Sequence, residues 1–251
     1  MSRYVALGSS MAAGPGIRPS AAGAPFGSGR SARNYAHVVA EELNLDLIDV
    51  TFSGATTAHV LADRQRSAQP QIRALDGSEK LVTITIGGND VGYVPLLMAA
   101  SLPALLRRLP ALRELLDRGA REQALDGIGA ALHDVGAAVK RRSPRARVIF
   151  VDYLTLLPPT GDAAAPLSAE HADLGRVVAA RLEEATAAAA QATGCDVVRA
   201  GHASRNHHGW SAAPWAVAAG LPLPWRPAPF HPNAAGMRAV AGLILEQIGG
   251  A

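Results

Sequence analysis

Residues 81–86 read Leu-Val-Thr-Ile-Thr-Ile, six uncharged residues of which five are β-branched. A run like this has no polar face, so it suits a strand covered on both sides. Such strands belong to parallel sheets, which need long crossovers between neighbours. Residues 4–7, 45–50, 147–152 and 195–198 are further short apolar runs. Helical patterns separate them. Asn34 is placed to cap a helix carrying Tyr35, Val38, Val39 and Leu43 on one face. Leu125, Ile128, Leu132, Val135 and Val139 recur at helical spacing, and Ser143-Pro144 stops that helix. Ser168 opens a long helix with Leu174, Val177, Val178 and Leu182 facing inward, and Gly194 closes it. The alanine run at residues 185–192 reads as part of that helix. Pro232 is placed in the first turn of a last helix, whose buried face is Met237, Val240, Ala241, Ile244, Leu245 and Ile248. Strands alternating with helices specify a single three-layer α/β/α domain, residues 1–251, around a five-stranded parallel sheet.

Three segments break the alternation. Residues 14–33 are a Gly/Pro/Ser/Ala loop. Residues 102–116 interleave leucines with Arg107, Arg108 and Arg113, and Pro103 and Pro110 cut them into short helical pieces. A helical insertion over residues 99–120 is expected there, either lid-like or packed as an ordinary extra helix pair. Residues 200–230 form a long connection that holds all three tryptophans, Trp210, Trp215 and Trp225, in a chain with only 4% aromatic residues. Loops of this length are usually functional, and an active-site loop is the expectation; Trp215 is expected to pack it onto the sheet, with an apolar wall for an acyl chain as the sharper alternative.

In an open parallel sheet, ligands bind beyond the carboxyl ends of the strands. Those ends carry Gly8-Ser9-Ser10 after the first strand, Ser53-Gly54-Ala55-Thr56-Thr57 after the second, and Gly87-Gly88-Asn89-Asp90 after the third. Phe230-His231-Pro232-Asn233 precedes the last helix at the same edge. A hydroxyl, an imidazole and several neutral donors therefore converge by topology. That set matches a serine nucleophile, its general base and an oxyanion hole. Asp90 is expected to order the loop around Asn89.

Other classes fall away. The single cysteine, Cys195, forms no disulfide within the chain. His202, His207 and His208 lack the Cys or carboxylate spacing of a zinc site. No apolar run is long enough to span a bilayer. The start, MSRYVALGSS, enters a strand at once without a long apolar stretch, so a cytoplasmic location is expected. Net charge is only +3, with 24 basic and 21 acidic residues, so no nucleic-acid partner is expected. The basic run Lys140-Arg141-Arg142, with Arg145 and Arg147 beyond it, fits cations at a helix C-terminus. A phosphate-binding domain of flavodoxin-like type is the main rival, but no Gly-Lys-[Ser/Thr] loop and no complete Gly-x-Gly-x-x-Gly occurs.

YVALGSSMAAG resembles the first block of the SGNH (GDSL-type) hydrolases, SGATT their glycine block, IGGND their asparagine block and FHPNAAGM their histidine block. The blocks keep the family order from residue 4 to residue 237. The resemblance implies a flavodoxin-like sheet in the order 2-1-3-4-5 and hydrolysis of a small-molecule ester without metal or organic cofactor. It implies Ser10 as nucleophile and His231 as base. The oxyanion hole would be the Ser10 N–H, the Gly54 N–H and the Asn89 side-chain amide. Two positions depart from the pattern. Ser9 stands where the family has Asp, and Ala228 stands where an Asp-x-x-His acid is usual. Some relatives work as Ser–His dyads with a backbone carbonyl on Nδ1, and a carbonyl near Ala228 is expected here. A degenerate hydrolase that binds without turnover is the alternative that the missing acid leaves open.

Overall fold

The computed structural model describes residues 2–223 and 225–250; Met1, Pro224 and Ala251, which fall within the expected spans 1–251 and 200–230, lie outside the described residues. Strands β1 (Arg3–Gly8), β2 (Asp46–Asp49), β3 (Glu79–Thr85), β4 (Arg147–Val151) and β5 (Asp196–Val198) form one sheet. All pairs are parallel and the order is β2-β1-β3-β4-β5. The helices are α1 (Ser10–Ala13), α2 (Tyr35–Glu42), α3 (Thr57–Leu61), α4 (Tyr93–Ala100), α5 (Pro110–Leu116), α6 (Arg118–Arg142), α7 (Ala169–Thr193), α8 (Ala200–Ala203) and α9 (Ala234–Gly249).

Handedness explains the layers. The chain steps one way from β1 to β2 and the other way in every later crossover. Right-handed connections therefore put α2 on one face and α3, α6 and α7 on the other. The last helix, α9, returns to pack on α2, while α6 packs on α7. Both faces of the sheet are thus covered, and the β1 residues Tyr4, Val5, Ala6 and Leu7 are fully buried.

Strand limits differ from the apolar runs by one or two residues, for visible reasons. β3 starts at Glu79, ahead of the LVTITI run, because the buried Glu79 carboxylate is satisfied. It accepts from the Asp76 N–H (2.8 Å), the Gly77 N–H (3.0 Å) and the Ser143 hydroxyl (2.5 Å). Three side-chain expectations need correction. Asn233, not Pro232, sets the start of α9: its side chain accepts from the Gly236 N–H (2.9 Å), which places Pro232 before the cap. Val177 is 40% exposed, because Leu174, Val178 and Leu182 define the buried stripe and Val177 lies one step round the helix from it. Leu43 lies past the end of α2 and is exposed.

Candidate active site

β1 ends at Gly8, with φ +149°, where a Cβ would meet the Thr85 carbonyl at 2.6 Å. Only glycine fits that approach. The Gln71 side chain grips the same residue twice: Gly8 N–H donates to Oε1 (2.7 Å) and Nε2 donates to the Gly8 carbonyl (3.0 Å). The Ser9 N–H then donates to Thr85 (2.9 Å), the chain turns, and Ser10 opens the single-turn helix α1.

His231 reaches this hydroxyl from across the sheet edge. Its Nε2 lies 2.8 Å from Ser10 Oγ, and its Nδ1 lies 2.7 Å from the Pro229 carbonyl. A carbonyl only accepts, so Nδ1 carries the hydrogen and Nε2 offers its lone pair to the serine. The preceding residue, Phe230, is fully buried with φ +58°, a left-handed backbone that side chains rarely adopt. Its N–H donates to Val217 (2.9 Å), and the Val217 N–H donates to His231 (2.9 Å). Burial and these bonds hold the turn that aims the imidazole. Burial pushes the His231 pKa below the usual histidine range, and the Pro229 carbonyl partly opposes this.

Two further loops close on the serine. Gly54 has φ +82°, and its backbone N–H has no acceptor among the described residues. The Asn89 amide donates one hydrogen to the Ala55 carbonyl (2.8 Å), which leaves its second hydrogen for the cleft. Asp90 binds across to the glycine loop: it accepts from the Thr57 N–H (3.0 Å) and the Thr57 hydroxyl (2.6 Å). The loops carrying Gly54 and Asn89 are therefore tied to each other twice. Burial raises the Asp90 pKa, and the Thr57 bonds counter it.

Ser10, Gly54, Asn89 and His231 line one cleft of about 310 Å³, together with Pro15, Ser53, Val94, Pro95, Met98 and Ala228. No carboxylate, lysine or arginine is among these residues. The profile of the GDSL-like Lipase/Acylhydrolase family matches residues 6–239. Lipase 2 of Streptomyces coelicolor is 30% identical over 98% of this chain and 85% of its own.

The chain belongs to the GDSL-like lipase/acylhydrolase family.

Solved folds agree. A lipase of Streptomyces rimosus superposes with TM-score 0.82 at 24% identity, over 98% of this chain and 99% of its own. A phospholipase A1 of Streptomyces albidoflavus gives 0.80 at 22% identity, over 98% of each chain. This GDSL-like protein is an ester hydrolase of the SGNH type.

Its departures from the family pattern have structural answers. Ser9, in place of Asp, meets the Tyr153 hydroxyl at 3.1 Å, and that hydroxyl also accepts the Gly88 N–H (2.9 Å). Tyr153 thereby joins the serine loop to the asparagine loop. At Ala228 no acid is present, and the carbonyl that meets Nδ1 is that of Pro229, one residue on. Asp152, at the end of β4, is another carboxyl near this edge, pushed up to about 7 mainly by burial. It accepts from the Gly201 N–H (2.7 Å) rather than from His231.

Gln71, Tyr153, Thr57 and Pro229 have supporting roles that the sequence does not reveal. Each acts across 33 residues or more or through a backbone atom, so no local pattern marks them. Replacing Tyr153 by Phe is expected to leave the Gly88 N–H and the Ser9 hydroxyl unpaired. The expected cost is about 1–3 kcal/mol, read as a lower denaturant midpoint.

Of the two readings of Trp215, packing holds and the apolar wall does not. Among the described residues, no tryptophan lines the cleft. Trp215 stacks on His207 at 4.2 Å, and Trp210 donates to the Ala165 carbonyl (3.2 Å). Both pack the connection onto the domain, while Trp225 is 64% exposed. The long connection reaches the cleft through Ala228 instead.

Proposed function

We propose that Ser10 and His231 form a nucleophile–base dyad that hydrolyses neutral carboxylic esters with an apolar acyl group. The observation that carries this reading is the unbroken relay Ser10 Oγ, His231 Nε2, His231 Nδ1, Pro229 carbonyl, at 2.8 Å and 2.7 Å. The family supports the reaction class, and the uncharged cleft lining supports a neutral substrate.

The steps follow. Ser10 Oγ attacks the ester carbonyl as its proton passes to His231 Nε2. Negative charge develops on the carbonyl oxygen, where the Ser10 N–H, the Gly54 N–H and the Asn89 amide donate to it. The tetrahedral adduct collapses, the C–O bond to the alcohol breaks, and His231 protonates the departing oxygen. Water, deprotonated by the same imidazole, then attacks the acyl-serine; the acyl–Oγ bond breaks, the imidazolium returns the proton to Ser10 Oγ, and the acid is released. The Pro229 carbonyl holds the tautomer but supplies only a dipole to the imidazolium, where a triad carboxylate would supply a full charge.

A pH profile follows from this. The base works only as neutral imidazole, and burial lowers its pKa. Activity is expected to stay level through neutral pH and to fall only below the ordinary histidine value of about 6.5. The same sign applies to stability. Protons bind the unfolded His231 more readily, so its contribution is complete above about 6.5 and is lost as pH falls toward the folded value. An acidic limb centred above 7 would contradict the assignment.

The direct test is covalent. A serine-reactive phosphonate is expected to label the protein once, at Ser10, with loss of short-chain aryl ester turnover. Labelling elsewhere, or turnover that survives full labelling, would sink the dyad.

A further inference from the structure

Seven of the nine exposed large hydrophobic side chains among the described residues lie on three segments. Phe26 lies on residues 14–33, Leu105 and Leu109 on residues 101–117, and Leu221 and Trp225 on residues 204–230; their exposures run from 53% to 92%. Two of these segments line the cleft and the third follows directly on α4, which also lines it. Pro15 and Ala228 both line the cleft, and the two loops are joined there: the Ala228 N–H donates to the Pro15 carbonyl at 3.0 Å. Phe26 shares a recess with Gly16 and Ile17 on that loop. α4 lines the cleft through Val94, Pro95 and Met98, and the chain runs from α4 directly into residues 101–117. α5, within that segment, packs on α4 yet buries none of its own side chains.

The same segments are basic. They hold eight arginines against two acidic residues, Glu114 and Asp117, whereas the whole chain has 24 basic and 21 acidic residues. Arg18, Arg108, Arg113 and Arg226 are exposed among the apolar side chains. Large apolar side chains mixed with arginines match a membrane interface, where the rings enter the headgroup layer and the guanidiniums meet phosphate. A second copy of this chain would meet the same arginines with its own and be repelled.

We propose that this rim docks the enzyme on an anionic lipid surface, so that the cleft faces the bilayer. The proposal rests on reading the cleft as the ester site. It gives the lid-like segment, residues 99–120, the role of a lipid-facing edge. Soluble esters need no such surface, which separates the two readings.

The test is co-sedimentation of the full chain with phosphatidylglycerol vesicles and with phosphatidylcholine vesicles, at low and high salt. Wild type is expected to bind the anionic vesicles and to be released by salt. The triple variant Phe26→Ser, Leu105→Ser, Trp225→Ser is expected to lose about tenfold or more in partition. Its kcat/KM on a soluble short-chain aryl ester is expected to match wild type, which also shows that it folds. No binding of wild type to either vesicle overturns the proposal, as does equal binding by the variant. A wild-type dimer that the variant abolishes, seen by sedimentation velocity, overturns it in favour of self-association. Loss of soluble-ester turnover in wild type would instead strike the dyad itself.

Discussion

Ser10→Ala is expected to lower turnover of a short-chain aryl ester by at least about 10⁴-fold. The hydroxyl it removes is the one that His231 Nε2 meets at 2.8 Å, and among the described residues no second hydroxyl is bonded to that nitrogen. His231→Ala is expected to cost a similar factor. The double variant is expected to be no worse than either single one, because nucleophile and base act as a unit. The measurement is kcat for the four proteins under one set of conditions. Multiplying losses in the double variant would mean that the two side chains do not share a step. Stability is expected to change little in Ser10→Ala, since the imidazole keeps its Pro229 bond.

Asn89→Ala is expected to be the next largest effect, about 10²–10³ in kcat with KM little altered. The amide is held by the Ala55 carbonyl at 2.8 Å, so its free hydrogen is fixed before the substrate arrives. A donor already in place stabilises charge that exists only in the transition state, and this is why the loss falls on kcat. Asn89→Asp serves as the sharper control. It keeps the shape, loses the donor and sets a negative charge beside the developing oxyanion, so it is expected to be at least as damaging as alanine. A KM effect alone, with kcat intact, would move Asn89 out of the oxyanion hole and into substrate binding.

Much of the architecture could be read from the chain. The uncharged LVTITI run demanded a sheet covered on both faces, and β3 is that strand. Alternation then supplied the other strands to within two residues, because apolar runs and helical spacing are local patterns. Convergence at one edge followed from crossover handedness, and Ser10, Gly54, Asn89 and His231 do line one cleft. The supports of those residues were not legible. Gln71 reaches Gly8 over 63 positions and Tyr153 reaches Ser9 over 144. Such bonds depend on three-dimensional placement alone. Backbone partners carry no residue signature, so only the neighbourhood of the Pro229 carbonyl could be foreseen. The tryptophans show the opposite limit. Their clustering pointed to one loop, yet a loop can gather aromatics to pack itself down, as Trp215 does on His207.

The seam between residues 14–33 and 204–230 bears on how this scaffold can be re-engineered. A Cβ on Gly16 would sit 1.9 Å from the Arg226 carbonyl, while the Ala228 N–H bonds the Pro15 carbonyl at 3.0 Å. Neither stretch can be exchanged for a homologue's without recutting the other. Chimeras built from this enzyme should therefore transplant the two stretches as a matched cassette, although 170 positions lie between them along the chain.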